Sequence, residues 1–532
     1  MDVTPSPVTL RPRRRSRRSL SLQANTGLRI ASNGVALTLS LFVSPFIISQ
    51  LGLATFGLWA LISAVSQYAT LMDFGVGGAA LARFVGQLSA MDEDEALARK
   101  GVSALWMSVG FAIAIIGISL GACALLPAFL SHSPATGWRW AIVGVGVNLA
   151  CASVASTFEA FPSGFSRWDL QIIPALVAQV AYAIAVVCTL LAGLGLEGLG
   201  IAAATSGLMM LVTARLVLRL VWSQRWGIWH ASVKEIRTLI AYGANIQTAS
   251  LVVIINQQSD KPVLLAFGAS LSFIGLYELA SKVAFSVRSL PVAALGPLLV
   301  RAATSTAGQS RAAIATFYER ALRANIEYAV APLFAVYGAC YPLTLAWLGG
   351  GFRMTALMVL ILGAGYATNF LTGAGTAVAN GSGRPQLDRN YSLLGLAINI
   401  IGTVLFGLLF GPWGVIVATA LGLMISSLWL LKMMDTWLDT ATLSMGWLSA
   451  NGLQSMLAGL FFGGLGVLAT VLLPVQSRLG WLAIGLASIA LSTVVLVTVS
   501  PTARQWVLAY GTRWRNARAD SPKADVGGAT KE

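Results

Sequence analysis

About fourteen long apolar segments follow one another along this chain of 532 residues, and no other feature constrains its fold as strongly. A membrane-spanning helix needs roughly 20 consecutive apolar residues, so segments of about 22 residues would together occupy about 310 residues. That number is close to the whole hydrophobic content, which is 56% of the chain. The sequence therefore excludes a water-soluble globular protein and leaves little chain for an extramembrane domain.

Charge, Gly and Pro mark the ends of the segments. The segments lie near residues 28–50, 56–82, 101–127, 138–159, 171–194, 198–221, 236–256, 272–300, 322–347, 355–376, 390–410, 412–433, 450–473 and 479–499. They are too long and too continuously apolar for the strands of an outer-membrane barrel, which alternate over about ten residues. The pattern predicts an all-α polytopic membrane protein with about 14 transmembrane helices.

Basic residues decide the orientation, because Lys and Arg in short loops stay in the cytoplasm. With the N-terminus inside, 28 of the 35 Lys and Arg residues face the cytoplasm. The opposite loops hold only Arg139, Lys261, Arg353 and Arg478. We therefore expect a multi-pass protein of the cytoplasmic (inner) membrane with both termini cytoplasmic. The net charge of +15 is then a matter of topology and does not indicate nucleic acid.

The chain also repeats itself at an offset near 217 residues. Three sets of matches carry the repeat: Gly57-Leu58-Trp59 with Gly275-Leu276-Tyr277, Gly164, Arg167 and Leu170 with Gly381, Arg384 and Leu387, and Gly200, Ala204 and Thr205 with Gly414, Ala418 and Thr419. Halves that each cross the membrane an even number of times have parallel topology, and transporters built this way bind substrate between the halves. A duplicated bundle that serves only as a scaffold is the alternative.

The repeat and the charge pattern predict five regions. They are a basic cytoplasmic arm (residues 1–27), a first six-helix bundle (28–222), a second six-helix bundle (236–435), a C-terminal helix pair (450–499) and a cytoplasmic tail (500–532).

Two groups of motifs resemble one known family. The first is Leu51-Gly52, Phe56-Gly57-Leu58-Trp59, Tyr68, Asp73-Phe74-Gly75-Val76-Gly77, Ala80 and Arg83-Phe84; the second is Asn256 to Lys261, then Gly275-Leu276-Tyr277 and Pro291. Both are similar to signatures of bacterial polysaccharide-repeat (O-antigen type) flippases of the multidrug/oligosaccharidyl-lipid/polysaccharide exporter superfamily. The resemblance covers nearly the whole chain in span count and loop lengths.

This resemblance implies two bundles of six helices, an added helix pair and alternating access. It further implies that undecaprenyl-diphosphate-linked oligosaccharide is moved from the inner to the outer leaflet for cell-surface polysaccharide biosynthesis. The partners it implies are that lipid-linked oligosaccharide, membrane lipids, a coupling H⁺ or Na⁺ and other polysaccharide assembly proteins. No cofactor is expected.

Charged residues inside apolar segments are costly and are therefore candidates for function. Arg288, deep in the eighth segment, is predicted to contact the diphosphate, since a guanidinium suits phosphate oxygens. A structural ion pair is the alternative for Arg288. Lys282 and Arg29 are further candidates for the substrate cavity, although Arg29 also fits a side chain that reaches the membrane surface.

Three acidic residues are candidates for ion coupling. Asp73 reaches a depth similar to that of Arg288 and could be its partner or a proton or sodium site, but it could instead cap a helix that restarts after the glycines that follow it. Glu278 stands four residues before Lys282, so a salt bridge between them is the alternative to a coupling role. Asp260, at the outer end of the seventh segment, could be merely solvated.

Two other functions are compatible with the pattern. A cation-coupled multidrug exporter of the same superfamily would need a more acidic cavity than the largely basic set found here. A membrane enzyme of envelope polysaccharide assembly would need catalytic residues in outer loops, and these loops are short. No phosphate-binding loop of the G-x-x-x-x-G-K-[ST] type is present, and no metal site is predicted from the four cysteines.

Overall fold

The computed structural model describes residues 22–73, 78, 80–91, 93–129, 136–222, 231–292, 309–473, 475 and 477–499. Within these ranges the regular structure is helical and no β-strand occurs. The predicted all-α class is confirmed.

The first half of the described chain contains eight α-helices and one short 3-10 helix. They are α1 (Leu22–Leu51), α2 (Leu53–Gln67), the 3-10 helix Tyr68–Asp73, α3 (Leu81–Ala90), α4 (Asp94–Phe129), α5 (Trp138–Gly164), α6 (Trp168–Leu191), α7 (Gly195–Val221) and α8 (Val233–Gln258).

The second half adds helices of more variable length. They are α9 (Asp260–Ala266), α10 (Leu271–Val292), α11 (Arg311–Asn325), a π-helical turn (Ile326–Val330), α12 (Ala331–Leu348), a 3-10 helix (Gly350–Phe352), α13 (Arg353–Asn369), α14 (Thr372–Gly381), α15 (Pro385–Phe410), α16 (Pro412–Leu438), α17 (Met445–Asn451), α18 (Leu453–Leu472) and α19 (Arg478–Val499).

Ten helical stretches in the described residues are long and apolar enough to cross a membrane. The other four predicted spans, near residues 28–50, 56–82, 236–256 and 272–300, fall on α1, on α2 to α3, on α8 and on α10. Each of these four spans contains residues, or side chains, that lie outside the described set. The chain is a multi-pass membrane protein.

Helix α15 has an exposed apolar surface that is unfavourable in water and favourable in a membrane. It is apolar around most of its circumference, and Ile401, Leu408, Leu409 and Phe410 are each more than 60% exposed. An exposed apolar face of this size marks contact with another apolar phase, which for a helix of 26 residues is the lipid.

The described residues fall into two compact units. Unit 1 lies within Met1–Thr55 and Ile62–Ile254, and unit 2 within Phe56–Leu61 and Ile255–Glu532. The core of unit 1 includes the fully buried side chains of Phe161 and Leu218, and the core of unit 2 includes the fully buried side chain of Tyr318. The predicted bundle limits at residues 28–222 and 236–435 stay a prediction.

The internal repeat is visible in the backbone of two turns. In unit 1, Ser166 takes a left-handed φ of 58° between α5 and α6; in unit 2, Gly383 takes a φ of 74° between α14 and α15. Each turn is closed by a bond from the next amide to the carbonyl five residues back, Arg167 to Pro162 (2.7 Å) and Arg384 to Ala379 (2.8 Å). The repeat predicted at offset 217 thus describes the same helix–turn–helix twice.

Gly57, at another repeated motif, sits in a close backbone contact. A Cβ atom at Gly57 would lie 1.8 Å from the carbonyl oxygen of Leu271 and 3.0 Å from the amide nitrogen of Gly275. Gly275 is the repeat counterpart of Gly57, so the first residues of the two matched motifs pack on each other. Only glycine permits this approach, because the obstacle is backbone, which cannot rotate away.

We predict that Gly57→Ala destabilises the purified protein by about 1–3 kcal/mol, as overpacking against fixed atoms does. Thermal unfolding in detergent measures the effect. The matched control is Gly117→Ala in α4, where a Cβ would meet nothing within 4 Å. That variant is expected to be neutral or slightly more stable, since alanine favours a helix over glycine. Equal melting temperatures for the two variants would contradict the close contact.

Candidate functional site

Asp260 and Lys261 begin α9, which is separated from the end of α8 by the single residue Ser259. Their exposed fractions are 3% and 7%, so neither is solvated. This overturns the solvated alternative for Asp260. A buried charged group needs a partner or becomes neutral. Lys261 and Asp260 meet this requirement in different ways.

Lys261 joins a charged cluster with Glu278 and Lys282 of α10. Its Nζ lies 2.7 Å from one carboxylate oxygen of Glu278, and the Nζ of Lys282 lies 3.2 Å from the other. Lys261 also donates to the side-chain oxygen of Gln258 at 3.0 Å. Lys282 lies over the ring of Phe56, 5.4 Å from its centroid. The predicted pair of Glu278 and Lys282 is present, while the participation of Lys261 was not foreseen from the sequence.

Asp260 is held by hydroxyl groups rather than by a cation. One of its oxygens, Oδ2, accepts from the Tyr277 hydroxyl and from the Thr419 hydroxyl, the latter at 3.1 Å. Asn399 of α15 donates to the same Thr419 oxygen at 3.2 Å. The other oxygen of Asp260, Oδ1, is buried and has no hydrogen-bond partner. The carboxylate is therefore only half satisfied.

Arg288 lies further along α10 and faces α13. Its Nη2 donates to Asn369 at 3.0 Å, and its guanidinium carbon lies 5.3 Å from the centroid of the Tyr366 ring. Its Nε is buried without a partner. Asn369 in turn donates to the hydroxyls of Tyr391 and Ser427, so it joins three helices. A structural ion pair, the alternative predicted for Arg288, is not formed with any described carboxylate.

Two predicted site residues cannot be placed at the level of side chains. Arg29 belongs to α1 and Asp73 is the last residue of the 3-10 helix, but the side chains of both lie outside the described residues. The change from α-helix to 3-10 helix at Tyr68 does show that the second span is irregular before Asp73.

Sequence reasoning missed Glu159 in α5 of unit 1. This carboxyl group lies within a helix that is long and apolar enough to span the membrane, and its Oε1 is buried with no partner. The signal was a single acidic residue between Phe158 and Ala160 at the end of an apolar segment. Elsewhere in the described chain, no group of three His, Cys, Asp or Glu side chains could hold a metal ion.

The described chain is thus a polytopic membrane protein with a twice-repeated helix–turn–helix and with buried charged side chains on α9 and α10 of unit 2. A family model described as "Polysaccharide biosynthesis protein" matches residues 22–301, more than half of the chain. The chain belongs to this polysaccharide biosynthesis protein family. The family resemblance read from the motifs is confirmed.

Solved structures agree on the fold. The chain is similar to the lipid II flippase MurJ in an inward closed conformation, with a TM-score of 0.66, 13% identity, and coverage of 90% of this chain and 99% of that one. It is also similar to the Vibrio cholerae MATE transporter VcmN, with a TM-score of 0.54, 16% identity, and coverage of 78% and 96%. A multidrug resistance MATE family transporter of the MOP superfamily gives a TM-score of 0.55 at 15% identity, covering 76% and 96%.

No curated protein matches the chain significantly by sequence. At these low identities the structural matches establish a MurJ-like and MATE-like polytopic fold, and the shared chemistry must be argued from the residues.

We predict that Glu278→Gln destabilises the protein by about 3–5 kcal/mol, because it leaves buried Lys261 without its countercharge. Thermal unfolding of the purified protein in detergent measures the loss. The control is Asp169→Asn, which breaks the Arg167–Asp169 pair, whose side chains are 21% and 20% exposed. A partly hydrated pair of this kind contributes about 1 kcal/mol or less. The account is wrong if Glu278→Gln costs no more than Asp169→Asn.

Proposed function

We propose that this protein is a flippase that moves undecaprenyl-diphosphate-linked oligosaccharide across the cytoplasmic membrane by alternating access. Its membership in a polysaccharide biosynthesis family supports the sugar part of the cargo. The likeness of its fold to a lipid II flippase supports the movement of a lipid-linked molecule. The single observation that carries the proposal is the environment of Arg288.

Arg288 has N–H donors that make no hydrogen bond to a described residue. A guanidinium carries five N–H donors, and one of its nitrogens donates to Asn369 while Nε is buried and unpartnered. A cation left partly unsatisfied inside a membrane helix is costly. A diphosphate that arrives in this place would accept from the remaining donors, and the planar fork suits two phosphate oxygens at once.

The sign of the charge also favours an anionic cargo. Three positive charges lie on α9 and α10, at Lys261, Lys282 and Arg288, and one negative charge lies there at Glu278. Asp260 either cancels one more or is neutral when a proton is bound. The balance stays positive in both cases, as the dianionic head of a polyprenyl-diphosphate sugar requires.

Asp260 is the best candidate for the coupling ion. Its Oδ1 is buried without a hydrogen-bond partner. Thr419 adds a hydroxyl that already contacts Asp260. Oxygen atoms around a carboxylate suit a proton or a Na⁺ ion, and binding of either would neutralise a charge that is otherwise half satisfied.

The orientation in the cell belongs to the same proposal. The split of 28 basic residues against four supports the cytoplasmic membrane with both termini in the cytoplasm. Glu278 and the two side chains outside the described set, Arg29 and Asp73, stay proposed members of the site.

The second candidate is a cation-coupled multidrug exporter, which the MATE-like fold favours. Exporters of cationic drugs need acidic cavities, and the described charges of α9 and α10 are mainly basic. We therefore rank it below the flippase. The compared structures are transporters, which supports a transporter rather than an enzyme of polysaccharide assembly.

We predict that Arg288→Ala lowers export of surface polysaccharide by roughly tenfold or more, because hydrogen bonds to the charged diphosphate are lost. The lipid-linked intermediate should accumulate to a matching degree. Both are measured in cells that lack the native gene and carry the variant, with protein level checked by immunoblot. Arg288→Lys should retain part of the activity, since it keeps the charge and loses the fork.

The control is Arg219→Ala, an exposed arginine near the end of α7 in unit 1. It should export normally. If Arg288→Ala also exports normally at a normal protein level, Arg288 has no part in the mechanism.

A further inference from the structure

A second basic feature lies in unit 1. It is a surface pocket of about 520 Å³ between α3 and α8, lined by Phe84, Lys234, Arg237, Thr238, Ala241 and Tyr242. We call it the α3–α8 pocket. The transport mechanism proposed above makes no use of it.

The charge of the pocket comes from Lys234 and Arg237. They stand three residues apart, so they share one face of α8, and both are exposed. No described carboxylate lies within ion-pair distance of either of them. Glu235, the acidic residue between them in the sequence, forms an ion pair with Lys100 of α4 instead. In the described part of the chain, no carboxylate therefore offsets the positive charge of these two side chains.

The wall of the pocket is aromatic and is held in place by two more cations. Phe84 and Tyr242 pack edge to face with their centroids 5.9 Å apart. Arg83 lies over the Tyr242 ring at 4.4 Å, and Lys100 lies over the Phe84 ring at 4.6 Å. These cation–π contacts fix the rings and add positive potential next to the pocket.

We propose that the α3–α8 pocket binds the phosphate headgroup of an anionic phospholipid of the surrounding membrane. Two cations beside aromatic and alkyl surface match a molecule that is anionic at one end and apolar at the other. The four basic residues, Arg83, Lys100, Lys234 and Arg237, also belong to the loops and helix ends that the charge pattern assigns to one membrane face, which is the depth of lipid headgroups. Basic pockets between membrane helices on that face are suited to anionic headgroups.

The test uses the full-length protein purified in detergent and titrated with dioleoylphosphatidylglycerol, with bound lipid counted by native mass spectrometry. The double variant Lys234→Gln/Arg237→Gln should weaken the tightest lipid site by roughly tenfold to thirtyfold. The control Arg99→Gln/Arg219→Gln removes the same charge from exposed positions of unit 1 outside the pocket and should bind as the wild type does. The charge-preserving variant Lys234→Arg/Arg237→Lys should retain most of the affinity.

Two further titrations identify the source of the phosphate. Dioleoylphosphatidylcholine should bind the wild type far more weakly than the anionic lipid, and millimolar inorganic phosphate should not displace the anionic lipid. Loss of binding that is equal in the pocket and control variants, or unchanged binding in the pocket variant, overturns the proposal. Displacement by inorganic phosphate would assign the pocket to a free phosphate and would also overturn it. Melting temperatures of all variants confirm that they are folded.

Discussion

The ion pair between Glu278 and Lys261 is the interaction on which the rest of the second unit depends. A charge placed in a membrane helix costs several kcal/mol unless it is paired. Here a carboxylate of α10 is bound on both sides, by Lys261 of α9 and by Lys282 of its own helix. The three charges are thereby paired inside unit 2, and α9 is fixed against α10.

The same pairing determines the state of Asp260. Adjacent residues on a helix point about 100° apart, so Lys261 turns toward Glu278 while Asp260 turns toward Tyr277 and Thr419. Because its neighbouring cation is already engaged, Asp260 receives hydroxyl hydrogen bonds and retains one free oxygen. Two adjacent residues thus have different roles: Lys261 forms a structural ion pair, and Asp260 can change its charge. We propose that Asp260 couples transport to an ion.

Much of the fold could be predicted from the sequence, because long apolar segments in a membrane leave few choices. The predicted spans near residues 138–159 and 412–433 begin where α5 and α16 begin. Helix breaks were harder: the predicted span 355–376 is divided at Phe370–Leu371, and a π-helical turn interrupts the span 322–347. Such breaks depend on how neighbouring helices pack, which hydropathy does not contain.

The site could be predicted only in part, for a related reason. Charge inside apolar segments singled out Arg288, Glu278 and Lys282, and helical spacing predicted that Glu278 pairs with Lys282. Partners on other helices, such as Asn369 for Arg288, require knowledge of which helix faces which. The repeat offers one further contrast. Thr205 and its counterpart Thr419 both bond the carbonyl four residues back on their own helix, but Thr419 also contacts Asp260. Among the described contacts, this polar site is thus formed in the second copy.

The most direct test of the central claim, that a buried carboxylate couples an ion to the movement of a lipid-linked sugar, is a flipping assay in proteoliposomes. A fluorescent polyprenyl-diphosphate oligosaccharide is followed by its exposure to a quencher that cannot cross the membrane, under an imposed proton gradient and, separately, a sodium gradient. The account predicts that one gradient accelerates flipping by the wild-type protein and that Asp260→Asn abolishes this acceleration. Equal acceleration of the wild type and of Asp260→Asn would contradict it.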